Sequence, residues 1–185
     1  MRKIKLQINI TIDGFVGGEN GELDWMLTES DQKQIDYLNG ITENVDTILL
    51  GRKMALESIP HWQKVAESAS KNQETDFAQF FTETQKIVFS KNLQHIDGKN
   101  VVLENGNLKD AIQKIKDKPG ADVIVYGGAN FVSSLLKENL LDELNLFVHP
   151  VSIGKGLSIF NEKTKLKLIR SEFYTNGIVL NKYEI

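Results

Sequence analysis

Segments with the pattern of β-strands alternate with segments that have the pattern of α-helices, and this order limits the folds available to the chain. The order is strand, helix, strand, helix, strand, strand, helix, strand, helix and then three strands. Such alternation predicts an α/β fold with a mostly parallel central sheet flanked by helices. A turn at Asn176 and Gly177 would join the last two strands as an antiparallel C-terminal hairpin. The length of 185 residues predicts one domain over residues 1–185.

Periodicity, glycine and proline define the individual segments. The opening strand places alternate apolar residues, from Ile4 to Ile12, on one face. It runs into the glycine-rich segment DGFVGGENGEL, residues 13–23, which predicts a long mobile loop. The segment RKMALESI, residues 52–59, predicts a short helix that Pro60 ends.

Composition and charge exclude several classes of function. The chain carries 22 basic and 25 acidic residues, so neither a nucleic acid nor a membrane is expected as a partner. It has no cysteine, which excludes disulfides, thiolate metal sites and a cysteine nucleophile. His61, His95 and His149 lie far apart in the sequence, so we expect no metal site. Without a signal-peptide pattern or an apolar stretch of about 20 residues, we expect a soluble cytoplasmic protein, complete as given.

The end of one buried strand predicts a site for an anion. Ligands of open α/β sheets bind beyond the carboxyl ends of the strands, and VIVYGGANF places Gly127 and Gly128 at such an end, before a helix. Free N–H groups and the positive end of the helix dipole would face an anion there, and glycine lets a phosphate come close. Alternatively, both glycines only permit a sharp turn, and this segment alone leaves both interpretations open.

Two further strand ends carry cations. In LLGRKM, Gly51 precedes Arg52 and Lys53, which suit a phosphate through forked hydrogen bonds and through a point charge. The alternative is that both are solvated charges on a first helical turn, although cations there oppose the helix dipole. In VFSKN, Ser90 offers a hydroxyl and Lys91 a charge, and a plain turn is the simpler interpretation.

Together these segments resemble the dihydrofolate reductase-like superfamily, and most closely the family that includes the reductase domain of bacterial riboflavin biosynthesis. The resemblance spans nearly the whole chain and is carried by TIDGFVGG, ILLGRKMALES, IVFSKN, VIVYGGANFVSSLL and DELNLFVHPVSIGKGLSIF. It implies a dihydrofolate reductase-like fold and an NADPH-dependent oxidoreductase. The implied substrate is a small heterocycle, pyrimidine- or pterin-like, as for 5-amino-6-(5-phosphoribosylamino)uracil reductase. Bifunctional members add a zinc deaminase domain built on histidine and cysteine, so this chain would be a stand-alone reductase.

The resemblance also implies which residues bind NADPH. Arg52 and Lys53, after Gly51, would approach the adenosine 2′-phosphate. Gly127 and Gly128 would receive the pyrophosphate, and a cis peptide bond between them is a hypothesis. The other implied positions are Met54, Ala129, Asn130 and Phe131 at the pyrophosphate, Ser90, Lys91 and Asn92 beside the adenosine, and Asn9, Val16, Gly17 and Tyr126 at the nicotinamide and the loop that closes over it.

The proton donor is the part of the site that the resemblance does not supply. Dihydrofolate reductases use a carboxylate on the first helix, within a Trp-x-x-Pro-x-Asp type of segment, and this chain has LDWMLTESD without the proline. Asp31, Asp36 and Asp24 are the catalytic candidates, each with the alternative of a capping or solvated acid. For His149, a structural histidine and an acid or base stay open. The departure favours the riboflavin-type family over a dihydrofolate reductase proper.

Two other readings of the function stay open. One is a non-catalytic protein that binds NADPH or a pterin, and the other is a dihydrofolate reductase proper. The resemblance also implies a homodimer, formed through the late strands and the region of residues 147–159.

Overall fold

A computed structural model describes residues 1–29, 31–68 and 72–185 of the chain. Its elements, in chain order, are β1 (Ile4–Thr11), β2 (Phe15–Gly17), α1 (Gln32–Thr42), β3 (Val45–Gly51), α2 (Arg52–Ala66), α3 (Gln73–Glu83), β4 (Gln85–Phe89), β5 (Val101–Glu104), α4 (Leu108–Asp117), β6 (Asp122–Gly127), α5 (Ala129–Lys137), β7 (Glu143–His149), β8 (Leu157–Ser158), β9 (Lys167–Phe173) and β10 (Val179–Glu184). Within these ranges, no helix has both the length and the apolar composition needed to cross a membrane.

Eight strands form one sheet, in the order β5-β4-β3-β6-β1-β7-β10-β9. Six of them, β1 and β3 to β7, pair in parallel, whereas β10 is antiparallel to both β7 and β9. This confirms the predicted α/β fold with a mostly parallel sheet and an antiparallel C-terminal hairpin. The short strands β2 and β8 form a separate pair that the sequence does not predict, because segments of three and two residues show no period.

Helices cover both faces of the sheet. On one face, α4 and α5 pack on the even-numbered residues of β1, from Ile4 to Ile10. The opposite face carries two separate apolar clusters. One lies under α2 and α3 and contains Ile59 and Phe81, and the other lies beside α1 and contains Phe147.

A strip of polar residues separates these two clusters. It consists of Lys5, Gln7 and Asn9 on β1, which point away from the even-numbered residues because side chains alternate along a strand. Central strands of parallel sheets normally have apolar residues on both faces, since helices cover both. The alternation in β1 therefore marks a gap in the layer of helices.

Two details of the sequence-based prediction are wrong. Pro60 does not end a helix, because α2 continues to Ala66. The interior proline forfeits one backbone hydrogen bond. Beyond it, Trp62 packs edge-on against Phe77 of α3 with 4.8 Å between ring centroids, and such contacts offset the loss. Ile12 was expected on the buried face, but it lies beyond the end of β1 and is 67% exposed.

Candidate cofactor site

A groove opens between β1 and β6 at their carboxyl ends. β1 pairs with β6 only at residues 4–6, whereas its pairing with β7 continues to Thr11 and His149. Beyond Leu6 the two neighbouring central strands therefore separate. We call this opening, between residues 7–11 of β1 and residues 126–128, the groove.

Two helices begin side by side at one end of the groove. Gly51 precedes α2 and Gly128 precedes α5, and a Cβ atom added to Gly128 would lie 3.3 Å from the Cα atom of Gly51. Gly127 and Gly128 have φ angles of 127° and 92°, which favour glycine. The peptide bond between them is trans, so the hypothesis of a cis bond is wrong. Positive φ at both residues makes the strand-to-helix turn without it.

The N-termini of these two helices lack side-chain caps. In α1, α3 and α4, the side chains of Asp31, Asn72 and Asn107 accept hydrogen bonds from the first-turn N–H groups. Neither α2 nor α5 has such a cap, and neither has an acidic residue in its first turn. Two sets of first-turn N–H groups thus converge without an acceptor, which is the arrangement that binds a phosphate.

Arg52 and Lys53 add two positive charges at the same place. Both side chains are exposed, and among the described residues neither forms an ion pair. Met54 packs toward the glycine pair, since a Cβ atom on Gly127 would lie 3.4 Å from its Cε atom. In the first turn of α5, Ala129 and Phe131 are half-buried and Asn130 is exposed. The site is therefore positively charged and open to an anion.

The loop after β4 is held by its own hydrogen bonds. The Ser90 hydroxyl oxygen accepts hydrogen bonds from the backbone N–H groups of Asn92, at 3.2 Å, and Leu93, at 3.0 Å. Lys91 donates to the Gly106 carbonyl at 3.1 Å. These contacts form the plain turn that the sequence allows. The loop borders the carboxyl edge of the sheet, because β4 is the neighbour of β3.

The positions implied for the nicotinamide lie in three different surroundings: the cluster under α2 and α3, the polar strip of β1, and strand β2. Tyr126 packs edge-on against Phe77 with 5.6 Å between centroids, and burial raises the pKa of its hydroxyl. Asn9 is half-buried on the polar strip of β1. Val16 and Gly17 belong to β2, and Val16 packs on the α4–α5 side of the core.

The loop of residues 13–23 is tied to the segment after β7. Asp13 accepts hydrogen bonds from the backbone N–H group of Gly154, at 2.7 Å, and from the Ser152 hydroxyl, at 2.8 Å. A hydrogen bond from Thr11 and these donors lower the pKa of Asp13 to about 2. An ion pair of 2.7 Å between Lys155 and Glu19 adds a second link. The loop and the segment after β7 therefore form one wall beside the groove.

The three candidate acids occupy structural or exposed positions. Asp31 caps α1 and also accepts hydrogen bonds from the N–H group and the hydroxyl of Thr175, at 2.7 and 2.5 Å. These hydrogen bonds lower the pKa of Asp31 to about 2, which disfavours proton donation. Asp36 is exposed and accepts a hydrogen bond from Gln32, and Asp24 is exposed. Within the described ranges, none of the three carboxylates forms a hydrogen bond or an ion pair with Lys5, Gln7 or Asn9 of the polar strip.

Sequence reasoning named Asn9 and His149 but missed Gln7 and the contact that joins Asn9 to His149 on the floor of the groove. Gln7 lies there beside Asn9, and His149 contacts Asn9 through its ring. The signal was the alternation of polar and apolar residues in β1, which is unusual for the centre of a parallel sheet. That signal becomes informative only when β1 is known to lie between β6 and β7, an arrangement that the sequence pattern does not give. No cluster of three or more His, Asp or Glu side chains suited to a metal ion occurs within the described ranges.

An α/β sheet of this order, with its groove between two separating central strands, defines a dihydrofolate reductase-like protein. The family model of the RibD C-terminal domain matches residues 2–180, and the chain belongs to that family. YyaP, an uncharacterized protein of Bacillus subtilis (strain 168), is 32% identical over 182 residues, which cover 96% of this chain and 92% of YyaP.

Solved structures show the same fold. A putative riboflavin biosynthesis protein from Shewanella sp. PV-4 has a TM-score of 0.71 at 20% identity, and the match covers 100% of this chain and 98% of that one. Dihydrofolate reductase from Enterococcus faecalis, in complex with NADP(H), has a TM-score of 0.58 at 13% identity, covering 98% and 95% of the two chains. The resemblance inferred from the sequence is confirmed.

Proposed function

We propose that the chain is an NADPH-dependent reductase of a small heterocyclic substrate, pyrimidine- or pterin-like, similar to 5-amino-6-(5-phosphoribosylamino)uracil reductase. The observation that carries this proposal is the meeting of two uncapped helix N-termini at Gly51 and Gly128, beside Arg52 and Lys53. Membership of the RibD C-terminal domain family supports the reductase class.

We assign residues of the groove and of the neighbouring strand ends to successive parts of NADPH. The first-turn N–H groups of α2 and α5 would bind the pyrophosphate, with Met54, Ala129, Asn130 and Phe131 around it. Arg52 and Lys53 would bind the 2′-phosphate, and the turn of Ser90, Lys91 and Asn92 would flank the adenosine. Asn9, Val16, Gly17 and Tyr126 would line the nicotinamide. The bound cofactor would supply a hydride, and the protein would orient both rings and exclude water.

The positions of the acids favour a second candidate, a non-catalytic protein that binds NADPH. Asp31 is engaged as a helix cap, while Asp24 and Asp36 are exposed, so none of these side chains is placed to give a proton to a ring in the groove. Oxidation of NADPH separates the candidates. A reductase oxidises NADPH when a pyrimidine or pterin substrate is present, and the absorbance at 340 nm falls. A protein that only binds NADPH shows equilibrium binding without this fall.

The test of the cofactor assignment compares NADPH with NADH. We expect Arg52→Ala to weaken NADPH binding about tenfold, because a forked contact to the 2′-phosphate is lost, and to leave NADH binding within about twofold. Lys109→Ala is the matched control, because Lys109 is an exposed cation near the start of α4, a helix that Asn107 caps. Fluorescence titration measures both affinities. Equal weakening of NADPH and NADH would refute the assignment of the 2′-phosphate.

We also propose a cytoplasmic homodimer that pairs through β9. This strand is one of the two edges of the sheet, and it exposes Leu168, Ile169 and Phe173, the last of them 81% exposed. An apolar edge strand is a common site of pairing between chains. Phe147 of the expected 147–159 region is buried, and β7 is paired on both sides, so β9 is the better-supported surface. Light scattering should show a dimer that Phe173→Lys weakens, and a monomeric wild type would contradict the proposal.

A further inference from the structure

His149 is buried at the end of β7 and uses both ring nitrogens. Its Nδ1 atom lies 3.2 Å from the backbone nitrogen of Leu27, and its Nε2 atom lies 3.0 Å from Oδ1 of Asn9. The ring of Trp25 packs perpendicular to the imidazole, with 5.3 Å between centroids. Only 1% of the surface of His149 is exposed, so the ring has one fixed position.

These contacts determine the tautomer of His149. The Leu27 N–H group can only donate, so Nδ1 must be the acceptor and carries no proton. Burial lowers the pKa of His149, which keeps the ring neutral near pH 7. The single ring proton is therefore on Nε2, and it is donated to Asn9.

The tautomer in turn fixes the orientation of the Asn9 amide. Because Nε2 donates, the atom of Asn9 that faces His149 must be the carbonyl oxygen Oδ1. The amide nitrogen Nδ2 then points away from His149. It forms no hydrogen bond with the described residues, and it is not among their buried polar atoms that lack a partner. Nδ2 of Asn9 is thus a donor that reaches solvent.

This donor lies on the floor of the groove. Asn9 is three residues beyond Leu6, the last β1 residue paired with β6, so no strand covers its β6 side. Its neighbour on the polar strip, Gln7, is also an uncharged amide. Within the described ranges, Asp24, Asp31 and Asp36 form no hydrogen bond with Gln7 or Asn9, and the donor that Asn9 offers is neutral. A carbonyl oxygen is the group that complements such a donor.

We propose that His149 is a positioning residue, which fixes the Asn9 amide so that its Nδ2 donates a hydrogen bond to a ligand carbonyl oxygen in the groove. The proposal deepens the proposed function and rests on it for the identity of the ligand. Two sources present this chemistry, the carboxamide of the nicotinamide and the carbonyl of a pyrimidine dione. The same ring binds Leu27, just after the loop of residues 13–23, so the donor and the chain that follows this loop share one support.

Two substitutions at His149 test the roles of the two ring nitrogens separately. In His149→Gln the amide nitrogen takes the place of Nε2 and can still donate to Asn9. In His149→Asn the shorter amide reaches the place of Nδ1, so it can serve Leu27 but not Asn9. Both remove the imidazole from its contact with Trp25, so a role in packing alone predicts similar losses in the two variants. Asn9→Ala removes the donor itself, and His95→Asn, at an exposed histidine, is the control.

Binding to the full-length protein is measured with two probes, NADPH alone and 5-aminouracil added to the NADPH-loaded protein. We expect His149→Asn and Asn9→Ala to weaken at least one probe by about three- to tenfold, the range of one hydrogen bond, and His149→Gln to stay within about twofold. Loss in the NADPH arm identifies the nicotinamide as the source of the carbonyl. Loss only in the 5-aminouracil arm identifies the substrate. Wild-type affinity for NADPH in Asn9→Ala, with unchanged 5-aminouracil binding, overturns the proposal.

A spectroscopic measurement keeps this result separate from the failure of the proposed function. Nitrogen-15 chemical shifts of His149 report its tautomer without any ligand, and the side-chain amide signals of Asn9 report its orientation. We expect a protonated Nε2 and an Asn9 signal that shifts in His149→Asn but not in His95→Asn. An Nδ1-protonated ring would overturn the inference even where NADPH binds. Wild-type protein with the Nε2 tautomer and no affinity for NADPH would overturn the proposed cofactor instead.

Discussion

The two ends of the groove are built in different ways. At the end formed by Gly51 and Gly128, the groups available to a ligand are backbone N–H groups and the exposed side chains of Arg52 and Lys53. At the end formed by β1 and β7, a half-buried amide, Asn9, is held by the buried ring of His149. The first end suits a charged group of any orientation, and the second suits one atom in one direction. A phosphate and a flat ring make these two different demands.

The largest expected effect comes from a substitution at Gly128, at the end of the groove that is built from backbone N–H groups. Gly128→Ala adds a Cβ atom at a residue with a φ of 92° and places it 3.3 Å from Gly51. We expect a loss of about 1–3 kcal/mol in the free energy of unfolding, measured with urea, together with a marked loss of NADPH binding. Gly40→Ala, within α1 and with open space around it, is the control. A stable Gly128→Ala protein with wild-type affinity for NADPH would show that the close approach of α2 and α5 is not needed.

The second prediction concerns α1, whose N-terminus has a side-chain cap, in contrast to α2 and α5. Asp31→Ala removes the cap of α1 and two hydrogen bonds to Thr175. We expect Tm to fall by roughly 5 °C while NADPH affinity stays unchanged. The pKa of Asp31 is lowered in the folded protein, so its contribution is present above pH 4 and is lost as the pH falls toward about 2. Thermal scans at pH 7 and pH 3 should therefore differ less in the variant than in the wild type.

The local geometry at Gly51 and Gly128 is easier to predict from the sequence than the contact between Asn9 and His149, for a physical reason. The turn at Gly127 and Gly128 and the two charges after Gly51 can be predicted from neighbouring residues alone. Glycine permits the turn, and Arg52 and Lys53 follow Gly51 directly in the chain. The sheet was likewise readable from alternating strands and helices. His149 and Asn9 are 140 residues apart and meet only because β1 lies beside β7. Asp31 was a plausible acid by its place in the sequence, and only the contact with Thr175 shows its capping role.

The third prediction concerns His149 and the pH dependence of folding stability. The pKa of His149 is lowered by burial, and Trp25, Leu27 and Asn9 around it are uncharged. Below about pH 6.5 the unfolded chain binds a proton at this histidine that the folded chain does not, so folding stability decreases as the pH falls. The slope from one such group cannot exceed about 1.4 kcal/mol per pH unit. Urea unfolding at pH 7.5 and 5.5 should show a smaller decrease for His149→Asn, and equal decreases would mean that His149 is charged in the folded protein.

The smallest expected effect is on the salt dependence of NADPH affinity, to which the two ends of the groove should contribute differently. Exposed cations are screened by ions, with a Debye length of about 10 Å at 0.1 M, whereas a hydrogen bond from a neutral amide is not. NADPH affinity of the wild type should therefore fall several-fold between 0.05 and 0.5 M NaCl, and the fall should be smaller in Arg52→Ala. Asn9→Ala should keep the full salt dependence at a lower affinity, because it removes no charge. An equal reduction of the salt dependence by both substitutions would mean that the two ends do not act separately, and that the groove binds its ligand as one electrostatic unit.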